Sequence, residues 1–292
     1  MNRLITFGCS FTDGIHWPSW SDFMGSHYKE YINKAKGGSG NSSIFQSVCN
    51  ALQQGTLKPG DDVVIQWSSC LRVDNMLPTD SLTTYAAAGT VYNNYHYTSE
   101  YVDKYFSIYQ SVFETINYIY SIKEMLTSNK INYGMTFMMD PTIDKFFGEP
   151  CYGGFNGEPT KEQIRYGLEL LPELKKLIDS KFTSKCMTMH QLDKPAVVYT
   201  LDHKEKIVRD GHPSPIQHRT FFYKYITPLF PQHDFSINSK NIKLADQWEE
   251  WTKISDDIVQ KKKLGITLNW PSKERYKAGV LQTPERKVTT LI

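Results

Sequence analysis

The chain is 292 residues long, 40% hydrophobic and 22% charged, with a net charge of +2. Such a length buries a substantial core, and such a charge balance, with no basic block longer than Lys261-Lys262-Lys263, argues against a dedicated nucleic-acid surface. Five widely spaced cysteines (Cys9, Cys49, Cys70, Cys151 and Cys186) contain no C-x-x-C pair, which suits reduced thiols better than a disulfide framework or a zinc site.

Leu4, Ile5 and Phe7 form a short apolar run that Gly8 ends, the pattern of a buried strand. Ser10 then falls at the strand's carboxyl end, before Thr12, Asp13 and Gly14, which favour a turn. Residues Asn41 to Gly55 repeat Ile44, Val48 and Leu52 at helical spacing, with Gly55 as a carboxyl cap. "DDVVIQW", residues 61–67, is a continuously apolar strand of the kind covered on both faces. Residues 74–99 have no regular pattern and are rich in tyrosine.

From residue 100 to 126 the spacing of Tyr105, Ile108, Val112, Ile116 and Ile119 predicts one long helix. A third strand follows over 131–140, then a Gly- and Pro-rich loop over 145–159. Residues 160–182 are helical in pattern, with Pro172 kinking or dividing them. A further strand is expected in 194–201. Ser214 and Pro215 suit the cap and first position of a helix, which puts His212 in the turn just before it.

Strands alternating with helices predict an α/β fold with a parallel sheet wound on both faces. Past residue 236 the pattern changes. Leu244, Trp248, Trp251, Ile254 and Ile258 share one helical face, and the last thirty residues have no period. Two units are therefore expected, a main domain over 1–235 and an appendage over 236–292 for docking, oligomerisation or attachment.

Serine hydrolysis requires a nucleophile, a histidine base, a group that orients the base and donors for the oxyanion. Ser10 offers the first on a strand edge, and His212, with Asp210 two residues earlier, offers the next two. "NKAKGGSGNSS", residues 33–43, is rich enough in small residues for backbone N–H groups to approach a ligand. "GCSFT" is not G-x-S-x-G, so the nucleophile elbow of the α/β-hydrolases does not match.

These blocks, in this order, resemble the SGNH/GDSL hydrolase superfamily over residues 3 to 230. "TFGCSF" matches its first block, Asn33 followed five residues later by Gly38 its second, and "DGHPSPIQH" its last, with His212, Pro213 and His218. The resemblance implies a flavodoxin-like three-layer α/β/α sandwich without a cofactor. It also implies that Ser10 is the nucleophile, that His212 is the base, and that the N–H groups of Ser10 and Gly38 bind the oxyanion. Gly40 is the alternative to Gly38 if the register slips.

Two departures stand out. The family places Asp three residues before its His, whereas Asp210 is two before, and Asp202 is a substitute. The third block, Gly-x-Asn-Asp, has Ser69 or Cys70 where the asparagine belongs. Asn41 is the expected replacement donor, with a Ser68 or Ser69 hydroxyl as the other option.

A metal reading would use Asp210, His212, His218 and His203, but His212 and His218 are not at helical i, i+4 spacing. A P-loop at "GCSFTDG" lacks its lysine. The rival from another class is a binding or structural module that kept the fold without efficient chemistry, with Tyr85, Tyr92, Tyr95, Tyr97 and Tyr101 stacking on sugar rings. "MNRLITFGCS" lacks the apolar stretch of a secretory signal, and no segment approaches a membrane span. A cytoplasmic location is therefore expected. The combination of "FGCSFT", "HPSP" and no signal also resembles some bacteriophage-encoded members of the family. That resemblance implies a virion-associated esterase acting on an acylated carbohydrate or another small ester, attached through the appendage.

Overall fold

Four parallel strands, in the order β2-β1-β3-β6, form the sheet on which the chain is built. The computed structural model describes residues 2–14, 18–79, 82–90, 99–138, 172, 197–198, 208–209 and 215–244. In chain order these give β1 (Arg3–Phe7), α1 (Ser10–Asp13), α2 (Trp20–Gly25), β2 (Glu30–Asn33), α3 (Asn41–Gln53) and β3 (Asp62–Trp67). Next come β4 (Arg72–Thr79), β5 (Leu82–Thr90), α4 (Ser99–Tyr105), α5 (Ile108–Ser128) and β6 (Asn132–Phe137). The two-residue strands β7 (Val197–Val198) and β8 (Val208–Arg209) precede α6 (Pro215–Phe221). A wide π turn (Phe222–Ile226) and a 3₁₀ turn (Thr227–Leu229) continue from α6.

All six residues of β3 are buried, as a strand covered on both faces requires. On one face lie α3 and α5, with Phe45 stacked on Tyr118 at 4.7 Å between ring centroids. On the other lie α2, α6 and the segment after it, where Trp20 meets Phe221 edge-on at 6.3 Å. The result is the three-layer α/β/α sandwich. Helix α3 buries Ile44 and Val48 as expected, and Gly55 takes a left-handed φ of 64° just past its end.

Several expectations are corrected. The single long helix over 100–126 is two helices. The Ser107 hydroxyl accepts the Gln110 N–H and caps α5, and Tyr105 is 72% exposed rather than on the buried face with Val112, Ile116 and Ile119. Residues 74–99 are not irregular throughout, because β4 and β5 pair as an antiparallel hairpin. Within 194–201 only Val197–Val198 are described, and they pair antiparallel with β8, outside the main sheet. The loop over 145–159, the helix over 160–182 apart from Pro172, and Trp248, Trp251, Ile254 and Ile258 lie outside the described residues.

The amino-terminal edge of the sheet is closed by side-chain pairs on two neighbouring aspartates. Arg3 Nε donates to Asp61 Oδ1 at 2.8 Å, and His233 Nε2 meets Asp62 Oδ2 at 2.6 Å. His233 is reached by a chain that passes Trp20 at Phe221, His27 at Phe222 and Gly134 at Leu229 and Phe230. It therefore descends from α6 towards the amino edge.

The chain does not leave this body at residue 236. Phe235, Asn241 and Leu244 are all buried, and Asn241 Nδ2 donates to Tyr223 Oη at 2.9 Å. No helix among the described residues is long and apolar enough to cross a membrane.

Gly134 on β6 is where this descending segment presses on the sheet. A Cβ there would lie 2.8 Å from Leu229 Cδ1 and 3.1 Å from Phe230 Cε2. Gly134→Ala should therefore destabilise the fold by about 1–3 kcal/mol, as overpacking typically does. Urea unfolding should show a lower midpoint at unchanged slope.

Candidate active site

Gly8 ends β1, Cys9 is extended with φ −101° and ψ −157°, and Ser10 opens the single turn of α1. The Cys9 carbonyl accepts from the N–H of Thr12 at 3.0 Å and of Asp13 at 2.9 Å, which closes the turn. Gly14 ends it in the left-handed region at φ 65°. Ser10 thus stands at the carboxyl edge of the sheet, the edge at which open parallel sheets bind ligands, and is 6% exposed.

A buried polar network holds this turn. Thr12 Oγ1 donates to Gln66 Oε1 at 2.8 Å, and Trp20 Nε1 donates to the same oxygen at 3.2 Å. An indole nitrogen is a donor only, so the pair fixes which way the Gln66 amide faces. The Thr12 carbonyl is met by Ser19 Oγ at 2.8 Å, Ser21 Oγ at 2.7 Å and Asn33 Nδ2 at 3.0 Å. Gly8 is required beneath: a Cβ there would lie 2.2 Å from Thr12 Oγ1.

Asn33, matched to the second block, therefore ties the end of β2 to the serine-bearing turn. Its Oδ1 accepts from Thr6 Oγ1 at 3.2 Å and from the Ala35 N–H at 3.0 Å. The loop beyond stays against β1 through Lys36 N–H to the Gly8 carbonyl at 3.1 Å, and against α1 through Gly37 N–H to Asp13 Oδ2 at 3.3 Å.

Gly38 follows with a φ of 81°, a conformation that favours glycine. Its N–H has no hydrogen-bond partner among the described residues, whereas the Gly40 N–H is taken. Asp74 on β4 accepts from Gly40 N at 2.7 Å and from Ser43 N at 2.8 Å, and Arg72 Nη1 donates to the Ser39 carbonyl at 3.2 Å. Between the two glycines, the geometry leaves Gly38 as the available donor.

Asn41, the expected replacement donor, turns elsewhere. Its Nδ2 donates to the Ser68 carbonyl at 3.2 Å and to Thr115 Oγ1 at 3.0 Å, while its Oδ1 accepts the Ser68 N–H at 2.7 Å. Both amide protons are committed, so in this arrangement Asn41 grips the residue just past β3 and has no proton left for an oxyanion.

At the family's asparagine position, Ser69 Oγ accepts the Leu71 N–H at 3.1 Å. Burial pushes the Cys70 thiol up to about 11, so it stays protonated and inert at neutral pH. Cys9 is fully buried with its Sγ 3.3 Å from Met138 Sδ, a packing role rather than that of a reactive thiol.

His218 is buried in α6 at 2% exposure. His212, Asp210, Asp202 and His203 lie outside the described residues, as do Tyr92, Tyr95 and Tyr97 and the side chain of Tyr85. Among the described residues, no cluster of three His, Cys, Asp or Glu side chains is arranged to hold a metal ion. The sequence reads Thr12 only as a turn residue and singles out neither Gln66 nor Asp74. A polar residue inside an apolar strand was the available signal for Gln66.

The fold and site thus define a doubly wound α/β protein with a serine turn locked at the carboxyl edge of its sheet. No protein-family model and no curated protein matches the chain. Among solved structures it is similar to a member of the lipolytic protein G-D-S-L family from Veillonella parvula, at 13% identity and a TM-score of 0.40, over 80% of this chain and 100% of that one. It is also similar to a GDSL-like lipase from Bacteroides thetaiotaomicron, at 16% identity and a TM-score of 0.37, over 79% and 86% of the two chains. At such scores the functional reading rests on this chain's own residues.

Asp74 supplies a test of the clamp on α3. Burial lifts its carboxyl above the ordinary value, outweighing the Ser43 and Gly40 N–H groups and the charges of Arg72 and Lys36, which pull it down. A carboxyl whose folded value is raised binds its proton more readily in the folded state. Its contribution to stability is therefore greatest at low pH and declines as pH rises through a window beginning near 3.8. The parent should lose stability relative to Asp74→Asn as pH is raised through that window, and urea titrations at several pH values will show it.

Proposed function

We propose that the chain is a serine-dependent ester hydrolase that removes acyl groups, O-acetyl above all, from a carbohydrate. The observation that carries this reading is the placement of Ser10, on a one-turn helix held rigidly at the carboxyl edge of the sheet. Helix α6 supports it: it begins three residues after His212 in the sequence, and its last residue, Phe221, packs on Trp20, the residue that holds the Gln66 amide. The preference for an acetylated carbohydrate rests on the resemblance to bacteriophage-encoded members, as does the virion-attachment role of 236–292.

In this mechanism Ser10 Oγ attacks the acyl carbon while His212 takes the hydroxyl proton. The carbonyl oxygen becomes an oxyanion, received by the N–H groups of Ser10 and Gly38. His212 then passes its proton to the departing sugar oxygen, leaving an acyl group on Ser10. Water, deprotonated by the same imidazole, releases the acid and restores Ser10. Asp210, or Asp202 in its place, orients the imidazole and stabilises its charged form.

Ser10→Ala and His212→Ala should each abolish hydrolysis of p-nitrophenyl acetate while the circular-dichroism spectrum is kept. Full activity in either variant would refute the assignment. Because the base must be neutral, the parent's rate should fall below about pH 6.5, the ordinary histidine value; a flat profile from pH 5 to 8 contradicts a histidine base. A parent inactive on every acetylated sugar and short ester tried would leave the binding-module reading.

A further inference from the structure

Three consecutive residues at the carboxyl end of β3 each bury a polar atom that has no hydrogen-bond partner among the described residues: Gln66 Nε2, Trp67 Nε1 and Ser68 Oγ. Buried polar groups are nearly always satisfied, and those left open call for an explanation. Gln66 and Trp67 point to opposite faces of the sheet, as successive strand residues must. Ser68 lies just beyond the last paired residue, at the edge itself.

The register of the sheet brings that edge to Ser10. β1 and β3 pair with a constant offset, from Leu4 with Asp62 to Phe7 with Ile65. Carried one residue past the end of β1, the same offset sets Gly8 beside Gln66, where a Cβ on Gly8 would lie 3.2 Å from the Gln66 carbonyl oxygen. From these neighbouring points the chains run on by two residues each, one to Ser10 at the start of α1 and the other to Ser68 past the end of β3. Cys9, adjacent to Ser10, also reaches Met138, whose N–H donates to the Trp67 carbonyl at 2.6 Å. The chain at Cys9 and the chain at Met138 thus meet across the end of β3. Ser10 and Ser68 are both buried, at 6% and 4% exposure.

The geometry points to the Ser68 hydroxyl as the third donor to the oxyanion, held in place by Asn41. This rests on the esterase reading of Ser10. Asn41 takes both the N–H and the carbonyl of Ser68, which fixes the backbone from which the hydroxyl projects. A donor fixed in advance is what stabilises charge that develops only in the transition state. The hydroxyl donates a hydrogen bond as the carbonyl oxygen becomes negative and keeps its proton throughout; no bond to Ser68 is made or broken. Ser68 is then a catalytic residue and Asn41 a positioning residue that acts through it.

The test compares the full-length parent, Ser10→Ala, Ser68→Ala, Ser68→Thr, Asn41→Ala and the Ser68→Ala/Asn41→Ala double variant on p-nitrophenyl acetate, with thermal unfolding of each. Ser68→Ala should lower kcat tenfold or more with KM changed less than twofold. Its Tm should be unchanged or higher, because an unsatisfied buried hydroxyl has been removed. Ser68→Thr, which keeps the hydroxyl, should restore at least a third of the parent's kcat. Asn41→Ala should lose both Tm and kcat, and the double variant should be no slower than Ser68→Ala alone. If the parent is active and Ser10→Ala is dead while Ser68→Ala matches the parent, Ser68 is no donor, and the esterase reading stands without it. A Tm loss in Ser68→Ala that accounts for its lost activity would likewise overturn the proposal. If Ser10→Ala is as active as the parent, the esterase reading itself falls and takes the Ser68 donor with it.

Discussion

The hydrogen bond from Thr12 to the Gln66 amide is the contact on which the candidate site depends. β1 ends at Phe7, and only one residue separates Gly8 from the turn that carries Ser10. Nothing in a four-residue helix holds it in place, since a single turn is unfavourable alone. The chain anchors it from outside, through a glutamine on the neighbouring strand whose orientation an indole N–H has settled. That arrangement dictates the rest. Gly8 must lack a side chain, β3 must accept a polar residue in an otherwise apolar interior, and Trp20 must begin α2 close above the sheet.

The two ends of the sheet are chemically unlike. At the amino edge, the ion pair of Arg3 with Asp61 and the contact of His233 with Asp62 pin distant parts of the chain together. At the carboxyl edge most of the groups that hold the Ser10 turn are hydroxyls, amides and backbone N–H groups, with two carboxylates engaged by backbone N–H groups, Asp13 by Gly37 and Asp74 by the start of α3. Fixed charge beside a developing oxyanion would act strongly on it in either direction. Neutral dipoles held in place stabilise it without the desolvation cost of a buried ion. The division lets one edge supply stability and the other remain available for chemistry.

Much of this was readable in the sequence, for identifiable reasons. β3 was legible because an apolar run of that length is covered on both faces, and α3 because Ile44 and Val48 repeat at helical spacing. β2 was not, since "EYIN" is four residues with polar ends and has no period to detect. The hairpin of β4 and β5 escaped notice because threonines, small residues and Pro78 blur its alternation. The division between α4 and α5 turns on one hydroxyl, that of Ser107, in a stretch whose apolar spacing otherwise runs on unbroken. The candidate nucleophile was visible as a serine after a strand-ending glycine. The Thr12–Gln66 lock was not, because its partners are 54 residues apart and neither belongs to a motif.

Asn41 shows where sequence spacing stops and geometry takes over. An asparagine beside a glycine-rich loop reads naturally as a donor for the oxyanion, but its amide has two protons and one oxygen to place. At the start of α3, within reach of α5 and the end of β3, all three are used, by Thr115 and by both backbone groups of Ser68. Such a side chain cannot also turn to a substrate without abandoning three buried hydrogen bonds, each worth about 0.5–1.5 kcal/mol net and more if its partner is left unpaired. The residue that gains is Ser68. Its backbone is satisfied on both sides, and its buried hydroxyl is the one polar group on it without a partner among the described residues. An amide missing from its usual place in the sequence therefore need not mean a missing donor. The constraint that removes Asn41 from the reaction is the same one that holds Ser68 ready for it.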